Sequence, residues 1–265
     1  MSRMRDIRQF ARGVLHAAKL CAAGLDDLFL PAVCGACGST EVASDCLCGQ
    51  CAVALLSMVS LPYCVRCGAT IGPNIPISQD GCSVCPTTLP RFESVVRLGP
   101  YAQPIRGAIH ELKYRKREAM LRRLGQLLAE AVSARASCTL DVAVPVPMHW
   151  RRRLVKGYDH ARAIGRQIAR ELHLPLGDEL IRVRYTPPQV RLPRTKRIEN
   201  VRGAFGMRSP VAIQGAHVLL VDDVTTTGAT ANEATRVLLA GGASKVILAV
   251  VAKAEPPRAY ATHWG

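Results

Sequence analysis

One stretch constrains this chain more than any other: AHVLLVDDVTTTGAT, from Ala216 to Thr230. His217 to Val221 is an almost unbroken run of β-formers, the pattern of a strand buried on both faces of a parallel sheet. Asp222 and Asp223 stand where that strand is expected to end. Thr225, Thr226, Thr227 and Gly228 follow, and then a helical pattern opens with Ala231, Ala234, Val237 and Leu238. In open α/β sheets ligands bind beyond the carboxyl ends of the strands. A helix N-terminus presents backbone N–H groups and positive dipole to a phosphate. Thr226, Thr227 and Thr230 add hydroxyl donors, and Gly228 permits close approach of the backbone. The two carboxylates repel a phosphate and suit ribose hydroxyls or Mg²⁺ instead. The segment therefore asks for a 5′-phosphorylated sugar.

Eight of the 11 cysteines form four CxxC pairs: Cys34/Cys37, Cys48/Cys51, Cys64/Cys67 and Cys82/Cys85. A CxxC turn sets two thiolates on one edge of a tetrahedron, and repeated pairs are a zinc signature rather than a disulfide framework. Two arrangements fit the spacing. The pairs combine in sequence, or they cross, first with third and second with fourth. Cys46 is a spare that could replace Cys48. Four thiolates close a zinc site to catalysis, so the metal is structural and holds a segment too poor in core to fold alone.

Net charge is +15, and residues 103–210 hold 23 Lys and Arg against 9 Asp and Glu. That concentration predicts a polyanionic partner: pyrophosphate, a phosphosugar or nucleic acid. Lys19, Asp26 and Asp27 interrupt the apolar stretch 14–33, so no membrane span or export signal is expected. Those absences and the metal-type cysteines predict a cytoplasmic protein. Ile7, Phe10, Val14 and Ala18 fall at helical spacing among arginines, predicting an N-terminal amphipathic helix.

Further along, strands are expected at Phe92–Tyr101, Val142–Val146, Leu180–Arg184 and Lys245–Ala252, besides the one before Asp222. Helices are expected at Ile105–Tyr114, Leu121–Val132, Asp159–His173 and, behind the threonine turn, from Ala231 to about Ala240. Alternation from Val142 onward predicts a parallel sheet with helices on both faces. Tyr185–Phe205 reads as a long polar connection bearing Arg191, Arg194, Lys196 and Arg197, in the manner of a lid. The divisions read as an N-terminal helical segment over 1–30, a cysteine module over 31–90, an α/β domain over 91–255 and a tail over 256–265.

VLLVDDVTTTGAT resembles the phosphoribosyl-diphosphate motif of type I phosphoribosyltransferases in length, order and residue type. With LPAVCGAC, LKY at Leu112–Tyr114, PVP at Pro145–Pro147, PPQ at Pro187–Gln189 and RIENVRGAF at Arg197–Phe205, the succession is similar to the ComF family of competence proteins. The resemblance covers most of the chain. It implies a type I phosphoribosyltransferase fold preceded by a zinc-ribbon module, and a role in DNA uptake during natural transformation. It implies that Asp222 and Asp223 hold the ribose and that Thr225, Thr226, Thr227, Gly228, Ala229 and Thr230 cradle the 5′-phosphate. It implies further that Mg²⁺ would offset charge on the pyrophosphate, with Arg151, Arg191, Arg194, Lys196 and Arg197 around the leaving group. Single-stranded DNA and a helicase-type protein are candidate partners, in a reading where the sugar-phosphate pocket serves as sensor or scaffold.

The chain departs from the family at Lys156–His160, where RGxNQ is usual. Lys loses the bidentate fork of Arg, and Asp159 is expected to cap the following helix. Thr226 stands where purine-salvage relatives carry an acid, so no purine acceptor is implied. The glutamine-dependent amidotransferase relatives need an initial cysteine, which Met1-Ser2 does not supply.

Overall fold

The computed structural model describes residues 33–42, 46–72, 76–78, 81–86, 90–114, 118–186, 194–209 and 213–255. The expected helix over 3–20, the tail over 256–265, the PPQ stretch and Arg191 lie outside the described residues.

Successive residues of a strand face opposite ways, and here both faces are apolar. Val142, Val144, Val218, Leu220, Val246 and Leu248 point into one layer; Ala143, Leu219, Val221, Ile247 and Ala249 point into the other. They belong to a four-stranded, wholly parallel sheet of β3 (Ser94–Pro100), β4 (Val142–Pro145), β7 (His217–Thr225) and β8 (Lys245–Lys253), in the order β3-β8-β7-β4. On the first-named face lies α7 (Ala229–Ala240), with Ala231, Ala234 and Leu238 buried. On the other lie α2 (Ile105–Tyr114), α3 (Glu118–Arg135) and α5 (His160–Glu171). Ile164 and Ile168 of α5 are buried as their spacing predicts, while Leu172 is half-buried at the helix end.

The cysteine segment contributes to the same core. Cys34, Ala36, Leu47, Leu55 and Met58 join the cluster under α2 and α3, with α1 (Gly49–Val59) between two knuckles. A two-stranded antiparallel pair, β1 (Ile77–Ser78) and β2 (Gly81–Cys82), closes the second cysteine unit.

Two sequence expectations change, and one short helix is new. The strand at Leu180 is β5 (Leu180–Arg182), and it leaves the parallel sheet to pair antiparallel with β6 (Phe205–Met207). Leu180 and Phe205 then cover the α7 layer, which explains why their apolar character does not mark a central strand. The polar stretch Tyr185–Phe205 contains a helix, α6 (Arg194–Val201), whose anchor is the buried Val201. Arg151 to Lys156 belong to another, α4 (Trp150–Lys156), bounded by His149 and a left-handed Gly157 at φ 66°.

Both borders of the sheet are covered by irregular backbone. At β3, Val95 N donates to Val65 O at 2.7 Å. Beside β4, Ala143 N donates to Pro175 O at 3.0 Å and Gly177 N to Ala143 O at 2.9 Å.

Candidate functional site

β7 outruns β4. Their last rung joins Pro145 to Val221, and Val146 N donates to Val221 O at 2.8 Å. The strand does not stop at Val221 as expected, because β8 continues beside it, with rungs Asp222–Val250, Val224–Ala252 and Thr225–Lys253. Asp222 and Asp223 thus lie within the strand, past its last rung with β4. Each carboxylate is oriented by the next amide: Asp223 N donates to Asp222 Oδ1 at 2.9 Å, and Val224 N to Asp223 Oδ1 at 2.7 Å.

The turn that follows is a crook. Gly228 adopts φ 77° at the N-cap of α7, a left-handed conformation that glycine takes without penalty, and it offers the helix no side-chain cap. Thr227 Oγ1 accepts from Ala229 N at 3.3 Å. Thr226, Thr227 and Thr230 are half-buried around this opening, whereas Thr225 is buried at 6% exposure. No acidic residue occupies the first turn of α7, so the positive helix end is not neutralised there. Ala254 N donates to Thr225 O at 2.8 Å, and the ammonium of Lys253 donates to Thr226 O. Sequence reasoning passed over Lys253, although its place at the carboxyl end of the neighbouring strand was a usable signal.

The cations expected around the leaving group sit on two elements. Arg151 follows the end of β4, exposed, its guanidinium 5.2 Å from the Trp150 ring centroid. His149 Nδ1 accepts from Arg151 N at 3.3 Å, which leaves the neutral ring's proton on Nε2. The His149 ring meets Tyr185 edge-on at 5.4 Å, joining the start of α4 to the segment after β5. Lys196 and Arg197 ride on α6 rather than on a free loop, and Arg194 opens that helix. α6 packs on α7, and Gly203 N donates to Glu233 Oε1 of α7 at 2.8 Å. The basic helix therefore borders the helix that starts at the crook. Asp159 caps α5 as expected, accepting from Arg162 N at 3.1 Å, and His160 is buried with its ring 5.2 Å from Tyr158.

The cysteines resolve into two groups in sequence order, Cys34/Cys37/Cys48/Cys51 and Cys64/Cys67/Cys82/Cys85. This rules out the crossed arrangement and leaves Cys46 outside both groups. Neighbouring sulphurs stand 3.8 Å apart for Cys37–Cys48, 3.7 Å for Cys64–Cys85, 3.7 Å for Cys67–Cys82 and 3.8 Å for Cys82–Cys85. A tetrahedron with metal–sulphur bonds of about 2.3 Å has an edge of about 3.8 Å, so both groups fit zinc. Burial and neighbouring sulphurs push the Cys51 and Cys67 thiols up, while backbone N–H groups from Cys48, Cys37 and Ala36 outweigh burial and bring Cys34 down to about 6. Four thiolates this close need a cation among them.

Comparison with known proteins agrees with this geometry. The family model of the phosphoribosyl transferase domain matches residues 159–262. The chain is 33% identical over 226 residues to DNA utilization protein YhgH of Salmonella typhi, covering 83% of this chain and 96% of that one. It is 30% identical over 215 residues to competence protein F of Haemophilus influenzae, covering 79% and 91%. A solved glutamine phosphoribosylpyrophosphate amidotransferase from B. subtilis is 22% identical, with 49% of this chain and 25% of that one covered and a TM-score of 0.35, a likeness too loose to weigh.

Proposed function

This chain belongs to the ComF family, that of DNA utilization protein YhgH and competence protein F, and from that premise we propose that it binds phosphoribosyl diphosphate with Mg²⁺ and acts in DNA uptake. The observation that carries the reading is the crook itself: an acid-bearing strand tip that outruns β4, a left-handed Gly228 and an uncapped helix start, all within the matched domain.

In this reading Asp222 and Asp223 take the ribose hydroxyls. Cleavage of the bond to pyrophosphate builds positive charge on the sugar, which the same carboxylates stabilise. The amides and hydroxyls from Thr226 to Thr230 hold the 5′-phosphate, while Thr225, its side chain buried and its backbone paired with β8, fixes where the turn begins. Mg²⁺, when bound with the substrate, offsets charge on the pyrophosphate. Arg151 from the β4 side and Lys196 and Arg197 from the α6 side receive the leaving anion, and the sequence pattern alone adds Arg191 and Arg194 to them. Zinc in the two cysteine groups would be structural, and thiolates kept reduced for a metal support a cytoplasmic location. Among the described residues no helix is long and apolar enough to cross a membrane.

Calorimetry with phosphoribosyl diphosphate and Mg²⁺ tests the proposal. Wild type is expected to bind, and Asp222→Ala/Asp223→Ala to lose at least about tenfold in affinity, as for charge-assisted hydrogen bonds. Equal binding by the double variant would overturn the assignment. Pyrophosphate release with nucleobases and amines then decides whether turnover accompanies binding.

A second surface supports a nucleic-acid partner. Trp150 is 54% exposed with Arg151 across its ring, Arg153 is exposed one turn on, and Tyr185 is exposed nearby. Exposed rings stack bases and arginines meet phosphates. Single-stranded DNA fits that chemistry, and a helicase-type protein could deliver it.

A further inference from the structure

The second cysteine group lies on the opposite border of the sheet from β4, yet its contacts lead to the crook by two routes. The first begins at Gly68, where φ is 77°. A Cβ there would lie 3.2 Å from Val95 Cγ1 and 3.8 Å from Cγ and Cδ of Lys253, so the Cys64–Cys67 knuckle rests on the Lys253 stem. The ammonium of that lysine donates to Thr226 O. Two residues on, Glu255 Oε1 accepts from Thr70 N at 2.6 Å and from Thr70 Oγ1 at 2.9 Å. Buried Arg97 completes the joint: its Nη2 donates to Thr70 Oγ1 at 2.7 Å and its Nη1 stands 3.6 Å from Glu255. Between Lys253 and Glu255, Ala254 bonds Thr225 O.

The second route runs through Arg66, the residue before Cys67. Its guanidinium donates to the carbonyls of Pro90 at 3.2 Å, Phe92 at 3.3 Å and Glu93. The buried Phe92 ring lies 3.9 Å from the point where Gly228 would carry a Cβ. Arg91 N donates to Asn232 Oδ1 of α7 at 2.7 Å. The knuckle thus supports the crook from the β8 side and from beneath Gly228.

We infer that Lys253 is a positioning residue for the phosphate crook and that the Cys64/Cys67/Cys82/Cys85 unit is the anchor that holds it. Retention of metal there and occupation of the crook are then coupled, and the coupling is reciprocal. Its ligand half rests on the proposed binding of phosphoribosyl diphosphate; its mechanical half does not. Lys253 acts through the Thr226 carbonyl: a cation bonded to a turn carbonyl removes one of the turn's alternative conformations, and the knuckle fixes where the cation stands.

The test uses the zinc-loaded full chain with Lys253→Met and Thr70→Val. Hydrogen exchange at the amides from Thr226 to Asn232 is read without ligand. Both variants should exchange about tenfold faster there while α3, whose Leu124 and Leu128 are fully buried, keeps its protection. Unchanged exchange in the crook of either folded variant overturns the mechanical claim. Zinc transfer to a chromophoric chelator is then followed with saturating phosphoribosyl diphosphate and Mg²⁺, the second-site phase being identified by its loss in Cys85→Ser. Ligand should slow that phase several-fold in wild type and less in Thr70→Val. A phase indifferent to ligand, in a wild type shown to bind it, overturns the coupling. A wild type that binds no ligand at all overturns the proposed function instead, and the exchange measurement still decides the role of Lys253.

Discussion

Gly107→Ala pits two effects of opposite sign against each other. The residue lies in the first turn of α2, where alanine is worth up to about 1 kcal/mol over glycine. Its Cβ, however, would come 1.9 Å from Ala36 O, 2.7 Å from Ala36 C and 2.8 Å from Ala36 Cα. All three are backbone atoms of the first cysteine knuckle, so no side chain can swing aside. Ordinary contact at above about 3 Å demands that knuckle and helix separate by more than about 1 Å, and such overpacking costs about 1–3 kcal/mol. Separation also loosens Cys34, Ala36 and Leu47 from the core they share with Ile109 and Leu112. The upper end of that range applies, for a net loss of about 2 kcal/mol and a fall of about 4–8 °C in Tm. Calorimetric melting of zinc-loaded protein measures it. Gly157→Ala is the control: it meets nothing within 4 Å and bears only the left-handed φ of 66°, about 1 kcal/mol. A Gly107→Ala protein as stable as wild type would refute the reasoning.

Two other outcomes are expected. Glu233 accepts from Arg236 Nη2 at 2.8 Å and from Gly203 N, and the Arg236 bond chiefly holds its carboxyl below the usual carboxylate range. A depressed folded-state value stabilises above the unfolded pKa of about 4.3 and vanishes as pH falls through the folded value. Glu233→Gln should therefore lower Tm at pH 7, with the gap to wild type closing below about pH 4 in a series of melts. Arg151→Ala/Arg153→Ala should weaken single-stranded DNA binding and reduce the slope of log affinity against log salt by about 1.4, two phosphate contacts at about 0.7 each. An unchanged slope in fluorescence anisotropy would remove α4 from the interface.

Much of this architecture is visible in residue order because parallel strands buried on both faces write continuous apolar runs. VLLV and VILAVVA could be placed, and the acids, threonines and glycine after the first run marked the crook. The CxxC pairs likewise declared their chemistry, since two sulphurs three residues apart have few other uses together. Their combination was not legible: only folding brings Cys37 beside Cys48 and Cys64 beside Cys85. Short elements were lost for a different reason. α4 hides in RRRLVK because its apolar residues face outward, Leu154 at 75% and Val155 at 88% exposure. β6 has three residues and no period to read, and β5, legible as a strand, carries no local sign of its antiparallel partner. The Lys253–Thr226 bond and the Thr70–Glu255 joint link positions 27 and 185 residues apart, a relation no local pattern can carry.

The covered borders of the parallel sheet bear on how this protein goes wrong. An uncovered strand edge is a template for another chain, and such templates seed aggregation. On the β4 side the stopper is the Pro175–Gly177 backbone; on the β3 side it is the Cys64 knuckle, through Val65. One of these stoppers is thus part of a unit built to hold a metal. Were that unit to lose its metal, an apolar strand end would be uncovered and copies could polymerise along it, so a metal held there would also guard against insoluble misassembly.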